Sequence, residues 1–352
     1  MLEAYEGEEE VPLQKVRKVG ISFNLRKNVR HDLPEDIYEE YDCMETINAI
    51  AKELESYGFD VCLLEQDARF LEKVNFYKPD FIFNIAEGIG NTRGRESQVP
   101  SILESLGIPY SGSDGVALAL TLDKYLTHRF LAYSGVHVPS FYLLSYEEDL
   151  EIADKIFEAG SLYIVKPRWE GSSKGIFPDS VVNNAEELKE KVKMIWNRYK
   201  EPALVEEFLP GDEITVGLAG NHHPRILGMM RIVPTTPKNS HFIYSLKHKR
   251  DWENLVKYQG PESIDSKLRE KISNIAQKVF VALELRDIAR IDFRLDSNGD
   301  PHVIDVNPLP GLSPYYSDLI ILYRMSGGEY REIIKTILKA AFLRNNLYWC
   351  WG

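Results

Sequence analysis

The 352 residues include only three cysteines, Cys43, Cys62 and Cys350, with no CxxC pair and no histidine spacing of the zinc-site kind. That argues against a disulfide framework and a structural zinc centre. Basic residues are the minority: 42 Lys plus Arg against 54 Asp plus Glu leave a formal charge of −12. A basic surface for nucleic acid is therefore not expected. No run of about 18 apolar residues could span a bilayer. The N-terminus also lacks the apolar core of a secretory signal, with five glutamates before Val11. These absences predict a cytoplasmic protein with no membrane partner and an acidic, mobile tail over residues 1–16.

What is present belongs to a folded chain: 44% hydrophobic and 27% charged residues exclude a mainly disordered one. At about 150 residues per domain the length holds roughly two to three domains. The opening reads as α/β. An apolar run at 19–23 precedes Met44, Ile47, Ile50, Leu54 and Tyr57 at helical spacing, and further apolar runs follow at 61–64 and 81–85. Asp42 with Glu45 reads as the capping pair of that helix and Gly58 as its stop. A first α/β domain is expected over 17–120, a second over 121–208 opening with a helix at 122–134, and a third over 209–345. The polar stretch 235–260 reads as a functional or disordered loop. Beyond the acidic tail there is no repeat and no low-complexity tract.

Two alternating runs, 290–295 and 302–307, flank Asn298-Gly299, the preferred pair for a two-residue hairpin turn. With that turn, paired positions place Asp292 opposite Asp305 and Arg290 opposite Asn307, all on one face. Facing carboxylates repel unless a cation bridges them or one is protonated. An all-oxygen set of two carboxylates and an amide suits Mg²⁺ or Mn²⁺, and Arg290 could then stabilise a phosphate or a tetrahedral intermediate. The other reading is a solvated face on which Arg290 and Arg294 neutralise the aspartates. Residues 166–175, KPRWEGSSKG, follow a strand and offer glycines, serines, Lys166 and Lys174 to phosphate oxygens, or simply form a turn.

With these two segments, LGIPYSGSDGVALALTLDK at 106–124 and LVEEFLPGDEITVG at 204–217 complete four motifs in order. Over residues 80–312 the chain resembles the D-alanine–D-alanine ligase family of ATP-grasp enzymes. The resemblance implies an α/β ATP-grasp fold, with an N-terminal open α/β domain and two α/β subdomains that sandwich ATP. It implies phosphoryl transfer from ATP to a carboxylate and attack by an amine, giving an amide, ADP and phosphate. Small-molecule carboxylate and amine (or hydroxyl) substrates and a homodimer are implied as partners. The alternatives are a ligase for another amino-acid, hydroxy-acid or dicarboxylate pair, and a non-catalytic ATP-binding module.

Position by position, Lys124 and Lys166 match lysines on ATP phosphates, and Ser172, Ser173 and Gly175 match the flexible flap. Glu206, with the backbone of Glu207 and Leu209, matches the adenine hinge, and Glu213 matches the ribose acid. Asp292, Asp305 and Asn307 match the magnesium ligands, with Asp305 where Glu is more usual. Arg290 and the Gly311 backbone match the groups on the tetrahedral intermediate. Lys247 and His248 align with the Lys-Tyr of the omega loop, a His resembling the ligases that make D-alanyl-D-lactate.

The N-terminal loop departs from the family. No acid follows the first strand, where Arg26 and Lys27 stand and would either favour an anion or be solvated. In NIAEGIGNTRGRE, residues 84–96, Glu87 and Glu96 are candidate acids and Arg95 a candidate carboxylate clamp. Tyr315 and Tyr316 are expected either to line the second-substrate pocket or to pack in the core. His222, His223 and His241 are expected in exposed turns.

Overall fold

The computed structural model describes residues 13–29, 33–157, 161–235 and 242–350. Three main sheets organise the chain. The first is parallel, with strand order Asp60–Glu65, Lys18–Phe23, Phe81–Asn84. Helix Met44–Ser56 buries Ile47, Ile50 and Leu54, the face its periodicity marks. It starts one residue later than the expected capping pair allows. Cys43 is the N-cap and makes no side-chain cap bond, because Asp42 is held extended in a bridge to Leu25. Gly58, at φ +88°, follows the helix. The acidic residues 3–10 lie outside the described residues, but Gln14–Lys15 pairs in parallel with Leu347–Tyr348, so the end of the expected tail is a strand.

The second sheet runs Phe141–Leu144, Ala203–Glu207, Tyr163–Pro167, Val181–Val182 and is antiparallel. Helix Ala185–Tyr199 packs on it through Leu188, Val192 and Ile195. The third sheet is antiparallel, in the order Val256–Gln259, Arg225–Pro234, Glu213–Gly220, Asp287–Leu295, Pro301–Asn307. One face is covered by helix Ser266–Ala282, and the other by Asp318–Met325 and Tyr330–Arg344. The last helix also joins the first sheet, its Phe342 ring meeting Phe81 at 4.9 Å.

The expected helix at 122–134 is Lys124–Tyr133, preceded by Gly115–Leu122, with the break at Asp123, whose carboxylate caps Leu126 N at 3.1 Å. It packs through Leu131 on the third sheet and through Tyr125 and His128 on Phe141 of the second. One expectation needs correction. The stretch 235–260 is not loop throughout. It holds helices Leu246–Arg250 and Trp252–Leu255 and the strand Val256–Gln259. Its buried residues Ile243, Tyr244, Leu246 and Val256 are too scattered to show a period. Among the described residues no helix is long and apolar enough to cross a membrane.

Helix Ser266–Ala282 relies on one cap, Asp265, which accepts from Lys267 N at 2.9 Å and Leu268 N at 3.3 Å. Asp265→Ala is expected to cost about 1 kcal/mol, read as a lower urea midpoint at unchanged slope.

Candidate active site

The hairpin reaches the expected register by a different route. Leu295 pairs with Pro301 and Asp296 N donates to Asp300 O, so the turn has three residues, 297–299, with Gly299 at φ +84°. That shifts the register by one, and a bulge between the Asp292 and Phe293 pairings shifts it back. Asp292 therefore faces Asp305, and Arg290 faces Asn307. Ile291 and Phe293 point to the core.

This face is buried, and each aspartate has its own cation. Arg290 donates to Asp292 through Nε at 3.0 Å and NH2 at 2.9 Å, and Thr215 Oγ1 adds a bond at 2.9 Å. Lys124 Nζ, at the start of its helix, lies 3.2 Å from Asp305. Arg294 does not neutralise an aspartate: it lies 3.5 Å from Glu213 and stacks 4.4 Å over Phe208.

A cleft between the second and third sheets is lined by Lys124, Lys166, Glu206, Glu207, Leu209 and Glu213, with Ser172, Ser173, Asp292 and Asp305. Ile164, Phe208, Ile243 and Ile304 give it apolar walls. Lys166 Nζ meets Glu206 Oε2 at 2.7 Å, and His128 Nε2 meets Oε1 at 3.0 Å. Burial alone would raise the Glu206 carboxyl, but Lys166 and His128 hold it at about 2. His128 was not singled out from the sequence; it is one turn beyond Lys124, on the face that helical spacing gives it. Burial raises Glu213 to about 7 despite Arg294.

The flap residues divide. Ser172 and Ser173 hold φ of +49° and +61° and line the cleft, and Ser173 Oγ donates to Tyr244 O at 3.1 Å. Gly175 is not on the cleft. It lies beneath the flap, where a Cβ would fall 2.3 Å from Pro167 Cγ, and its N–H donates to Asp36 at 3.0 Å. Lys174 likewise turns away to Glu40, at 2.7 Å, and to Glu170.

A second cleft of about 480 Å³ adjoins the first and shares Ser172, Tyr244, Lys249 and Asp318 with it. Arg290, Asn307 and Gly311 form one wall, and the largely exposed Tyr315 and Tyr316 line it without packing in the core. Lys247 and His248 are not brought to either cleft: Lys247 is exposed, and His248 Nδ1 bonds Ser245 Oγ at 2.9 Å. The stretch is helical, so the inward Leu246 carries Lys249, three residues on, to the same face and turns Lys247 outward. Burial and Arg290 lower the Lys249 ammonium. Tyr244, also missed, donates to Asp318 Oδ1 at 2.9 Å. His222 and His223 are exposed, whereas His241 lies outside the described residues.

No acid follows the first strand, but the N-terminal wall gains one from another segment. Segment 33–42 brings Glu40 over the flap. Arg95, only 2% exposed, is no open clamp: it donates to Glu40 at 2.8 Å, to Glu170 at 3.1 Å and to Trp169 O at 2.8 Å. Burial pushes Glu40 up, but Arg95 and Lys174 hold it at about 2. Arg26 donates to Tyr41 O and Glu39 O and lines the second cleft, and Lys27, largely exposed, lies 3.8 Å from Glu65.

Glu87 and Glu96 remain. Burial, with Glu40 opposing and Arg95 favouring ionisation, pushes Glu96 up to about 8, while burial and the neighbouring Glu96 raise Glu87 well above the carboxylate range. A carboxyl raised on folding contributes stability below its unfolded pKa that is lost as pH rises through the folded one. The ligand-free protein is therefore expected to lose thermal stability from pH 5 to about 8.5, with Glu201 (about 8), Glu213 (about 7) and Asp42 (about 7) contributing. Melting curves across that range check it, and Glu96→Gln should flatten part of the slope.

Comparison with known proteins identifies the family and the fold. The family model described as D-ala D-ala ligase C-terminus matches residues 130–339. An uncharacterised protein of Sinorhizobium fredii is 32% identical over 310 residues, covering 84% of this chain and 87% of that one. A D-alanine–D-alanine ligase of Aquifex aeolicus is 32% identical over 297 residues, covering 84% of this chain and 94% of that one. Among solved structures, a D-alanine–D-alanine ligase from Bacillus anthracis complexed with ATP superposes with TM-score 0.71 at 22% identity, over 94% of this chain and 98% of that one. The VanG D-Ala:D-Ser ligase from Enterococcus faecalis gives TM-score 0.70 at 18% identity, over 93% and 99%. The shared fold is the ATP-grasp fold.

Proposed function

The chain belongs to the D-alanine–D-alanine ligase family, and from that membership we propose that it is an ATP-dependent ligase that joins a carboxylate to an amine. One observation supports this most: the cleft holding Lys124, Lys166 and the paired aspartates opens, across Ser172, into the one holding Arg290 and Gly311. A nucleotide's phosphates and a second small molecule can thus meet at one wall.

The apolar walls fit a nucleobase, and Glu213 lies where a ribose hydroxyl can donate to it. Lys166 and Lys124 are the charges available to phosphate oxygens. The carboxylates of Asp292 and Asp305 already draw the cations Arg290 and Lys124, and Asn307 adds an amide oxygen on the same face. This oxygen donor set fits Mg²⁺ or Mn²⁺, which when bound would supply charge to the phosphoryl oxygens. The γ-phosphoryl passes to a carboxylate oxygen. The amine nitrogen then bonds to the acyl carbon, the C–O bond to phosphate breaks, and the nitrogen gives up a proton. Arg290 and the Gly311 backbone face the charge that develops on the acyl oxygen, and the flap excludes water from the acyl phosphate.

ADP release with Mg-ATP and paired amino acids, with mass analysis of the product, tests this reading. An amide product supports it, and no ADP with any carboxylate and amine contradicts it. Because Lys249 faces both clefts, Lys249→Ala is expected to lower kcat/KM by roughly 10- to 100-fold, as for a lost charge-assisted bond. Lys247→Ala should stay within about twofold, the usual result for an exposed side chain; the reverse order would return the role to Lys247.

A further inference from the structure

Behind the flap, a recess of about 30 Å³, room for one water or one ammonium group, is lined by Glu40, Glu87, Glu96, Lys124, Asp305 and Asn307. One carboxylate oxygen from each of the three glutamates lies within 4.8 Å of the others. Charges here can be paired off. Arg95 and Lys174 neutralise Glu40 and Glu170, and Lys124 is engaged by Asp305. Among the described residues no direct ion pair or hydrogen bond then reaches Glu87 or Glu96, although Arg95 acts on both and Lys124 on Glu96 at longer range. Glu96 is only 8% exposed, and it lines the recess. A buried acid left in this state costs stability unless a ligand completes it. Glu87 also lines the second cleft, beside Arg290 and Gly311, so the recess is continuous with the place where a carboxylate would be activated.

We infer that the carboxylate substrate of this ligase carries two cationic groups, an α-amine and a side-chain amine or guanidine, which Glu87 and Glu96 receive. The inference rests on the ligase reading above. A substrate with one ammonium leaves one of the two acids uncompensated, and a neutral hydroxy acid or a dicarboxylate leaves both. A divalent ion fits less well. Three donors, Gly171 N, Lys174 Nζ and Arg95 NH2, make four contacts to Glu40 and occupy both its oxygens, leaving only two acids beside three cationic side chains.

The test uses the full chain with Mg²⁺ and a non-hydrolysable ATP analogue, titrated calorimetrically with lysine and with norleucine, each as both enantiomers. The pair differs at the side-chain end by an ammonium in place of a hydrogen. The expected result is that lysine of the accepted hand binds at least about tenfold tighter, as for one charge-assisted contact, and that Glu96→Gln reduces the difference to about twofold or less. Norleucine binding as tightly as lysine, or a lysine preference that survives Glu96→Gln, would overturn it. So would a Mn²⁺ titration without nucleotide that loses one bound ion in the variant. Glu96→Gln keeps the shape of a carboxyl that burial already holds mostly protonated at neutral pH, so its melting temperature there should hold. ADP release separates the two claims: turnover with alanine but not lysine keeps the ligase and sinks this inference. Lysine binding that depends on Glu96, with no ADP from any mixture, keeps the cation recess and sinks the ligase.

Discussion

Asp305→Asn is expected to lower Mg-ATP-dependent ADP release by at least about a thousandfold, some 4 kcal/mol of transition-state stabilisation. The substitution keeps size and shape but removes the charge that Lys124 answers at 3.2 Å. Burial alone would raise the Asp305 carboxyl, yet Lys124, Lys166 and Arg290 hold it below its ordinary value, so it is ionised at neutral pH. Asparagine can still offer an oxygen to Mg²⁺, but not the negative charge that makes a hard cation bind here. The loss should appear in kcat and in the Mg²⁺ concentration needed for half-maximal rate, with an unchanged circular dichroism spectrum. A variant retaining a tenth of the activity would remove Asp305 from the metal face.

Arg95→Ala is expected to destabilise the fold by roughly 3–5 kcal/mol, because it strands buried charges rather than deleting a surface contact. Glu40 and Glu170 each lose a partner within 3.1 Å, and the carbonyl of Trp169 loses its donor. Both acids hold the flap, Glu40 through Gly171 N and Lys174. Activity should therefore fall even where the variant remains folded. Arg95→Lys keeps a charge but not the planar fork and should fall between the two. Denaturant midpoints for the three proteins measure this. A loss below about 1 kcal/mol, the range of an exposed pair, would show the network to be relaxed by water.

Much of this was legible in the sequence, for identifiable reasons. Ile47, Ile50 and Leu54 marked their helix because amphipathic spacing survives wherever one face is buried. The hairpin's facing aspartates were placed correctly although the turn was not. A three-residue turn and a bulge each displace the register by one, and the core residues Ile291, Phe293, Val303 and Val306 demand the sum that keeps them inside. Lys249 was missed because alignment of a short loop counts positions, whereas a helical turn decides which of them face inward. Glu40 was missed because it comes from segment 33–42, outside any motif, and only the tertiary fold carries it over the flap. Arg95 was read as open to substrate since nothing local reveals that its partners are 55 and 75 residues away.

The central claim, transfer of phosphate to a carboxylate, is tested most directly by isotope. A carboxylate substrate labelled with oxygen-18 is incubated with the enzyme, Mg-ATP and an amine, and the inorganic phosphate is analysed by mass. Reaction through an acyl phosphate predicts one labelled oxygen in the phosphate for each amide formed. Unlabelled phosphate, or label appearing in AMP, would contradict it.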